Sequence, residues 1–318
     1  MKAPVTIAVV SSNTRELLAD CLRSLKPEVD AGRADVWVVD NASSDGSPDM
    51  VGREFPWVSL VAHSENIGFS QAVNLVADRT DSPWLAPANA DIAVTPGALL
   101  TALDIGARHP EAAVIAPRLV LPDGRTQHSV YSFPTLTQSL ALNFGLQRFS
   151  RRLGDRLCFE GYWDSNHPRE VDWAIAAFVV VRRDAFDAVG GFDRQHWMYA
   201  EDLDLGWRLR AAGWKTRYAP EAAVRHFDGA ATRKAFGDDR RPRWMAATYA
   251  WMVRRRGIAI TWAYALINLA GAGIRWAILA SLSRVAPGRW GRHRDFFRQW
   301  MRLHRQGLRS RGTLLSHR

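Results

Sequence analysis

Cysteine is scarce in this chain, with Cys21 and Cys158 the only two among 318 residues. Two cysteines cannot build a disulfide framework, and no metal-type cysteine spacing occurs, so a reducing compartment is expected. A G-x-G-x-x-G fingerprint and a Walker-type phosphate loop are both missing, which counts against a dinucleotide-dependent or P-loop enzyme. A secretory leader is not legible either. Met1-Lys2-Ala3-Pro4 runs straight into the short apolar stretch Val5 to Val10, which lacks a cleavage site and reads as a buried strand. Acidic residues thin out toward the end of the chain. From Arg284 to Arg318 there are ten arginines, no lysine and one acid, Asp295, giving a local charge of +9 out of +10 for the whole chain. The body before Arg284 is therefore near neutral, and the basicity belongs to a tail.

What is present is an alternation of apolar runs and amphipathic stretches. Val5 to Val10 reads as a central parallel strand. Asn13 and Glu16 stand at capping-box spacing before a helix carrying Leu18, Leu22 and Leu25. Val36 to Asp40 is a second strand ending in an acid, and a third runs roughly from Val58 to Ala62. A helix through Ala77 follows Asn66-Ile67-Gly68-Phe69. Trp84-Leu85-Ala86 is a fourth strand, leading to Asn89-Ala90-Asp91, and Thr95-Pro96 forms an N-cap and N1 pair for the next helix. This alternation predicts an α/β fold with an open, mostly parallel sheet and right-handed crossovers. Ligands in such sheets collect beyond the carboxyl ends of the strands, where Asp40 and Asp91 fall. From Ala113 the pattern loosens, and Ser132 to Ser165 mixes a helix with polar loop. Strand character returns at Phe178 to Val181 and at Val224 to Phe227, the latter carrying His226 at its end.

The densest chemistry lies in His196-Trp197-Met198-Tyr199-Ala200-Glu201-Asp202-Leu203-Asp204. Three carboxylates within four positions open an amphipathic helix that Gly213 is placed to end. Acids in a first helical turn also suit the backbone dipole, which is the purely structural explanation of their position. Against that explanation stand the preceding aromatics and the further acids at strand ends. A carboxylate in such a cleft can take a proton from an attacking hydroxyl.

Taken in order, Val39-Asp40-Asn41-Ala42-Ser43-Ser44-Asp45-Gly46, Asn66-Ile67-Gly68-Phe69, Asn89-Ala90-Asp91, Gly190-Gly191-Phe192-Asp193 and Glu201-Asp202-Leu203-Asp204-Leu205 resemble the motifs of the family 2 inverting glycosyltransferases. The resemblance covers roughly Val5 to Thr232 and implies the GT-A nucleotide-sugar-binding fold, a Rossmann-like mostly parallel sheet. Within the family it is nearest to bacterial rhamnosyltransferases, including those acting on polyprenyl-diphosphate-linked N-acetylglucosamine in cell-wall assembly. It implies Asp202 as catalytic base with Glu201 in support. Ser11, Ser12, Asp40, Asn66, Gly68, Asn89 and Asp91 are implied on the donor, with Asp40 on the pyrimidine ring. Asp172, Trp173, Trp197 and Asp204 are implied on the acceptor or sugar side. Asp91 matches the last acid of the family's D-x-D element, whose first position here is Asn89. A metal, Mg²⁺ or Mn²⁺, then needs another protein ligand, and the resemblance implies His226. A second departure is Ala174-Ile175-Ala176-Ala177 in place of the usual Gly-containing segment after the tryptophan, which narrows the expected acceptor pocket.

These readings give a catalytic domain over residues 1–240 and a helical, basic, membrane-associating region over 241–318. No charged residue occurs in the eighteen positions from Gly257 to Ile274. Three glycines and an asparagine make that stretch a poor spanning helix. An interfacial helix, or a buried helical hairpin with Trp276 to Leu282, suits it better. The arginine-rich tail supplies attraction to anionic lipid, and no nucleic acid is expected. The expected activity is transfer of a sugar, with rhamnose favoured, from a dTDP- or UDP-sugar to a lipid-linked or polysaccharide acceptor. The expected location is peripheral, on the cytoplasmic membrane face. Two alternatives compete with this reading: a non-catalytic nucleotide-sugar or glycan-binding protein on the same fold, and a nucleotidyltransferase. The second would need a triphosphate loop after the first strand, and Ser11-Ser12-Asn13-Thr14-Arg15 does not resemble one.

Overall fold

The computed structural model describes residues 3–227 and 240–310. Eleven strands occur among them: β1 (Val5–Ser11), β2 (Ala34–Asn41), β3 (Ser59–His63), β4 (Trp84–Asn89), β5 (Ile92–Val94), β6 (Ala112–Val120), β7 (Val130–Tyr131), β8 (Arg169–Val171), β9 (Trp173–Ala174), β10 (Val180–Arg182) and β11 (Lys215–His226). Nine of them form one sheet in the order β3-β2-β1-β4-β10-β6-β11-β5, with β8 added on β11. Strands β1 to β4 run parallel, as do β6 and β11, while β10 lies antiparallel between β4 and β6. β5 and β8 are antiparallel to β11. The expected α/β architecture with a mostly parallel sheet is what forms. The short β7–β9 ribbon lies outside that sheet.

Continuous apolar runs make central strands because both faces are covered. Val5, Ile7, Ala8 and Val9 are fully enclosed, and Leu18, Leu22 and Leu25 of the helix Arg15–Asp30 pack into the same core.

Two compact units arise: Met1–Tyr131 with Asp164–Gly237, and Ser132–Trp163 with Asp238–Arg318. The second unit thus takes in a stretch from the middle of the chain that the sequence reading assigned to the catalytic body. It consists of the short helices Leu136–Phe144, Leu146–Phe149 and Arg151–Arg156 and the long helices Arg240–Arg256, Ile258–Val285 and Pro287–Ser310. Thr232 and the final arginines Arg311 and Arg318 lie outside the described residues.

Three local expectations are corrected. Asn13 and Glu16 make no capping box. The helix starts at Arg15, and Asn13, at φ 53°, accepts from the Ser44 N–H instead, tying two loops together. Thr95-Pro96 is not the cap and first residue of the next helix, which begins at Ala98 after Gly97 at φ 80°. No helical hairpin forms between Gly257–Ile274 and Trp276–Leu282, because Ile258–Val285 is one continuous helix. Gly213, at φ 88°, does follow the end of the helix Glu201–Ala211 as expected.

Candidate active site

Strand register decides which residues meet. Ser11 pairs with Asp40 across β1 and β2, and Val10 with Asn89 across β1 and β4. His226 pairs with Ile92, and the Phe227 N–H donates to the Asp91 carbonyl at 2.9 Å. Ser11, Asp40, Asn89, Asp91 and His226 therefore share one edge of the sheet, at the carboxyl ends of its parallel strands.

Asp40 is almost fully buried. Its Oδ1 accepts from the Ser43 N–H at 2.8 Å, while Oδ2 accepts no hydrogen bond among the described residues. A buried carboxylate oxygen kept in that state is suited to an N–H donor from a ligand. Ser11 Oγ is paired with Thr14 Oγ1 at 2.9 Å, and Ser12 Oγ donates to the Asn41 carbonyl at 3.2 Å, so both hydroxyls brace the loop they stand on. Asp45 accepts from the Arg15 and Ser47 N–H groups, holding the neighbouring turn.

Asn66 Oδ1 accepts from the Gly68 N–H at 2.9 Å, and the Asn66 carbonyl accepts from Trp197 Nε1 at 3.1 Å. Trp197 is thus held against the Asn66–Gly68 turn. Asn74 clamps the neighbouring Gly-rich turn, donating to the Phe192 carbonyl and accepting from the Phe192 N–H.

Asp91 and His226 are both buried, with His226 Nε2 3.3 Å from Asp91 Oδ1. His226 Nδ1 lies 2.7 Å from Gln127 Oε1. With the amide oxygen turned toward it Nδ1 is the donor of that contact, and Nε2 faces the carboxylate. A carboxylate oxygen and an imidazole nitrogen so placed form a pair that could take part in holding a divalent cation. Gln127 went unnoticed in the sequence because nothing in its own segment marks it; only the fold brings it to His226, 99 positions away.

The acidic helix begins after Tyr199 and Ala200, both left-handed at φ 67° and 64°. Two successive non-glycine residues in that region are strained and persist only where packing enforces them. Asp202 accepts from the Leu203 N–H at 2.8 Å and from the Ala176 N–H at 3.3 Å. The Asn89 N–H donates to the Ala177 carbonyl, so two hydrogen bonds and one peptide link Asp202 to the end of β4. Burial pushes the Asp202 carboxyl above the usual carboxylate range. Glu201 is raised by burial and, in addition, by the Asp202 charge. Helix-dipole stabilisation alone would lower both, so the capping explanation does not account for the pair.

The sugar-side candidates separate. Trp173 stacks on Tyr131 with ring centroids 4.6 Å apart and lines a small cavity with Asp202, Ala174, Ala176 and Gly206. Asp172 is ion-paired with Arg210 at 2.8 Å. Asp204 is fully enclosed, its Oδ2 2.6 Å from Arg208 Nε and its Oδ1 3.9 Å from His196 Nε2. Asp193, His196 and Asp204 also offer three ligand atoms within 4.8 Å of one another. The Arg208 guanidinium already supplies positive charge to that cluster.

This sheet order, with carboxylates gathered at its carboxyl edge and a buried acid opening the helix beside it, is the architecture of the GT-A glycosyltransferases. The model of the glycosyltransferase-like family 2 matches residues 3–247, and the chain belongs to that family. The N-acetylglucosaminyl-diphospho-decaprenol L-rhamnosyltransferase of Mycobacterium tuberculosis (strain ATCC 25618 / H37Rv) is 31% identical over 244 residues, which are 69% of this chain and 79% of that relative. Rhamnosyltransferase WbbL of Escherichia coli (strain K12) is 36% identical over 87 residues, 27% of this chain and 32% of the relative. Among solved structures, mannosyltransferase PcManGT from Pyrobaculum calidifontis in complex with GDP-Man and Mn²⁺ superposes with a TM-score of 0.63. It is 17% identical, over 98% of this chain and 87% of that one, a likeness that speaks for the fold.

Proposed function

We propose that this glycosyltransferase moves a 6-deoxyhexose, rhamnose, from a dTDP- or UDP-linked donor onto a lipid-linked N-acetylglucosamine or a related envelope glycan, with inversion at the anomeric carbon. The observation that carries the mechanism is the placement of Asp202, a carboxylate held by two backbone N–H groups and raised in basicity by burial. Its oxygen accepts the proton of the acceptor hydroxyl as that oxygen bonds to the anomeric carbon. The bond from that carbon to the donor diphosphate breaks, and its electron pair leaves with the nucleoside diphosphate. Glu201, beside it and harder to ionise, remains able to donate a hydrogen bond to a sugar hydroxyl.

Asp40 Oδ2 would accept from the ring N–H of uracil or thymine. Asp91 and His226 fit a hard or borderline divalent cation, Mg²⁺ or Mn²⁺, because a carboxylate oxygen and an imidazole lone pair face each other there. Such an ion, when bound, neutralises the charge developing on the leaving diphosphate. The choice of rhamnose and of a lipid-linked acceptor rests on the named activity of the Mycobacterium tuberculosis relative. Action at the cytoplasmic membrane face is supported by the one described helix long and apolar enough to cross a membrane, Ile258–Val285, and by the arginine-rich helix after it.

A donor screen tests the reading: dTDP- and UDP-sugars are offered with polyprenyl-diphosphate-linked N-acetylglucosamine. Release of nucleoside diphosphate with glycosylated lipid is expected. Release of pyrophosphate when a nucleoside triphosphate and a sugar 1-phosphate are offered instead would mark a nucleotidyltransferase, and donor binding without turnover a binding protein.

A further inference from the structure

Two segments of the second unit are built inside out, beside an ordinary apolar core of Met245, Tyr249, Leu303 and Leu308. Along the helix Ile258–Val285 the enclosed positions are Thr261, Ala265, Asn268, Gly271, Ala272 and Ser283, all small or polar residues. Large apolar side chains face outward instead: Ile258, Trp262, Leu266, Ile274, Ile278 and Leu282 are all exposed. A helix of a water-soluble core shows the reverse pattern. The same inversion recurs in a segment more than a hundred positions earlier. Ser139, Ala141, Asn143 and Gln147 are buried there, while Leu140, Leu142, Phe144, Leu146 and Phe149 are exposed, Phe149 by 88%.

The two segments are fastened to each other by polar contacts. Asn143 Nδ2 donates to Asn268 Oδ1 at 2.9 Å, Asn268 Nδ2 donates to Ser139 Oγ at 2.7 Å, and Arg275 donates to the Leu142 carbonyl. A Cβ at Gly271 would stand 2.5 Å from Asn143 Cβ, so the backbones approach as closely as glycine allows. Small residues and interhelical amide bonds inside, with large apolar residues outside, are how helices pack where lipid rather than water surrounds them. The neighbouring helix Pro287–Ser310 exposes Arg289, Arg292, Arg298, Arg302 and Arg305, and its one acid, Asp295, is ion-paired with Arg294.

We propose that Leu136–Phe149 and Ile258–Val285 together form a single bilayer-docking face that sits in the acyl boundary of an anionic membrane, with the arginines of Pro287–Ser310 reaching headgroup phosphates. This deepens the reading that the enzyme works at a membrane and rests on it. The docking is in-plane rather than spanning. The helix is roughly 42 Å long, more than a hydrocarbon core needs, and Arg275 interrupts it with its guanidinium turned to protein. The mid-chain segment is thus part of the membrane anchor, which the basic tail alone would not require.

The test uses the full chain with phosphatidylglycerol-containing and pure phosphatidylcholine vesicles. Leu140→Ser, Phe144→Ser and Phe149→Ser combined should lower partitioning onto anionic vesicles by about tenfold or more and remove the fraction that resists high salt. Their exposed positions leave the thermal melt unchanged. In the unaltered protein, photoactivatable lipid should cross-link to peptides from both segments, a readout independent of the variant's folding. Partitioning unaffected by the triple substitution, or cross-links confined to Pro287–Ser310, would overturn the shared face. So would a stable dimer in light scattering that the same substitutions dissolve, since a second copy would then be the occupant. Transfer to a short-chain, water-soluble acceptor should survive the triple substitution. Its absence in the unaltered protein would count against the transferase reading and leave the vesicle result standing.

Discussion

A Cβ built on Gly68 would lie 2.5 Å from the Trp197 carbonyl oxygen and 2.6 Å from the Trp197 indole, so the Asn66–Gly68 turn and the loop before the acidic helix touch backbone to backbone. Gly68 also has φ 82° with ψ 170°, a conformation open in practice only to glycine. Gly68→Ala is expected to destabilise the fold by about 1–3 kcal/mol and to weaken donor binding more than the unfolding midpoint alone explains. Urea unfolding and donor calorimetry on the same variant check this.

The Asp91–His226–Gln127 arrangement makes a graded prediction. Asp91→Ala should abolish cation-dependent donor binding, and His226→Ala should weaken it strongly. Gln127→Leu, which removes the partner that fixes the ring, should cost about 10–100-fold in apparent metal affinity. Titration of Mg²⁺ and Mn²⁺ against rate measures all three. Full activity of the unaltered enzyme in excess chelator would contradict a metal-holding role for Asp91 and His226.

Asp204 and Arg208 form an ion pair in which the carboxylate has no exposure at all. Arg208→Met leaves that charge enclosed and should destabilise by about 3–5 kcal/mol, with a smaller loss for Asp204→Asn. Thermal and denaturant unfolding distinguish this bracing role from a role on the sugar. A bracing pair predicts that residual folded protein keeps its acceptor KM.

The raised Glu201 carboxyl has a signed consequence for stability. Between the ordinary carboxylate range and the raised value, the folded chain keeps a proton that the unfolded chain has lost. Stability therefore falls as pH rises through that window. Glu201→Gln has no proton to lose there, so its unfolding midpoint should decline less steeply with pH than that of the unaltered protein. Parallel slopes for the two proteins would contradict the assignment.

Much of the fold was legible because its strands are short apolar runs punctuated by acids and turns, and such runs can only be buried. Asp40, Asp91 and His226 could be placed at one edge because strand ends in a parallel sheet share an edge. Other features depend on tertiary partners. Gln127 reaches His226 through the pairing of β11 with β6, and Tyr131 reaches Trp173 through the β7–β9 ribbon. The stretch Ser132 to Ser165 reads as a helix mixed with polar loop, and its place in the second unit stays hidden because Leu136–Phe149 exposes apolar residues and buries polar ones, the inverse of the pattern by which helices are found in sequences. Asp204 looked like a third site acid at its spacing, and only the enclosed Arg208 contact reveals its commitment to a protein partner.

The most direct test of the central claim is donor affinity and turnover measured together on Asp202→Asn. The substitution keeps the side chain's size and removes only its capacity to take a proton, with burial holding the native carboxyl's basicity above the usual range. Donor affinity within a few fold of the unaltered enzyme, with nucleoside diphosphate release slowed by about 10²–10⁴-fold, is the predicted result. Near-normal turnover in Asp202→Asn would contradict it and place the base elsewhere.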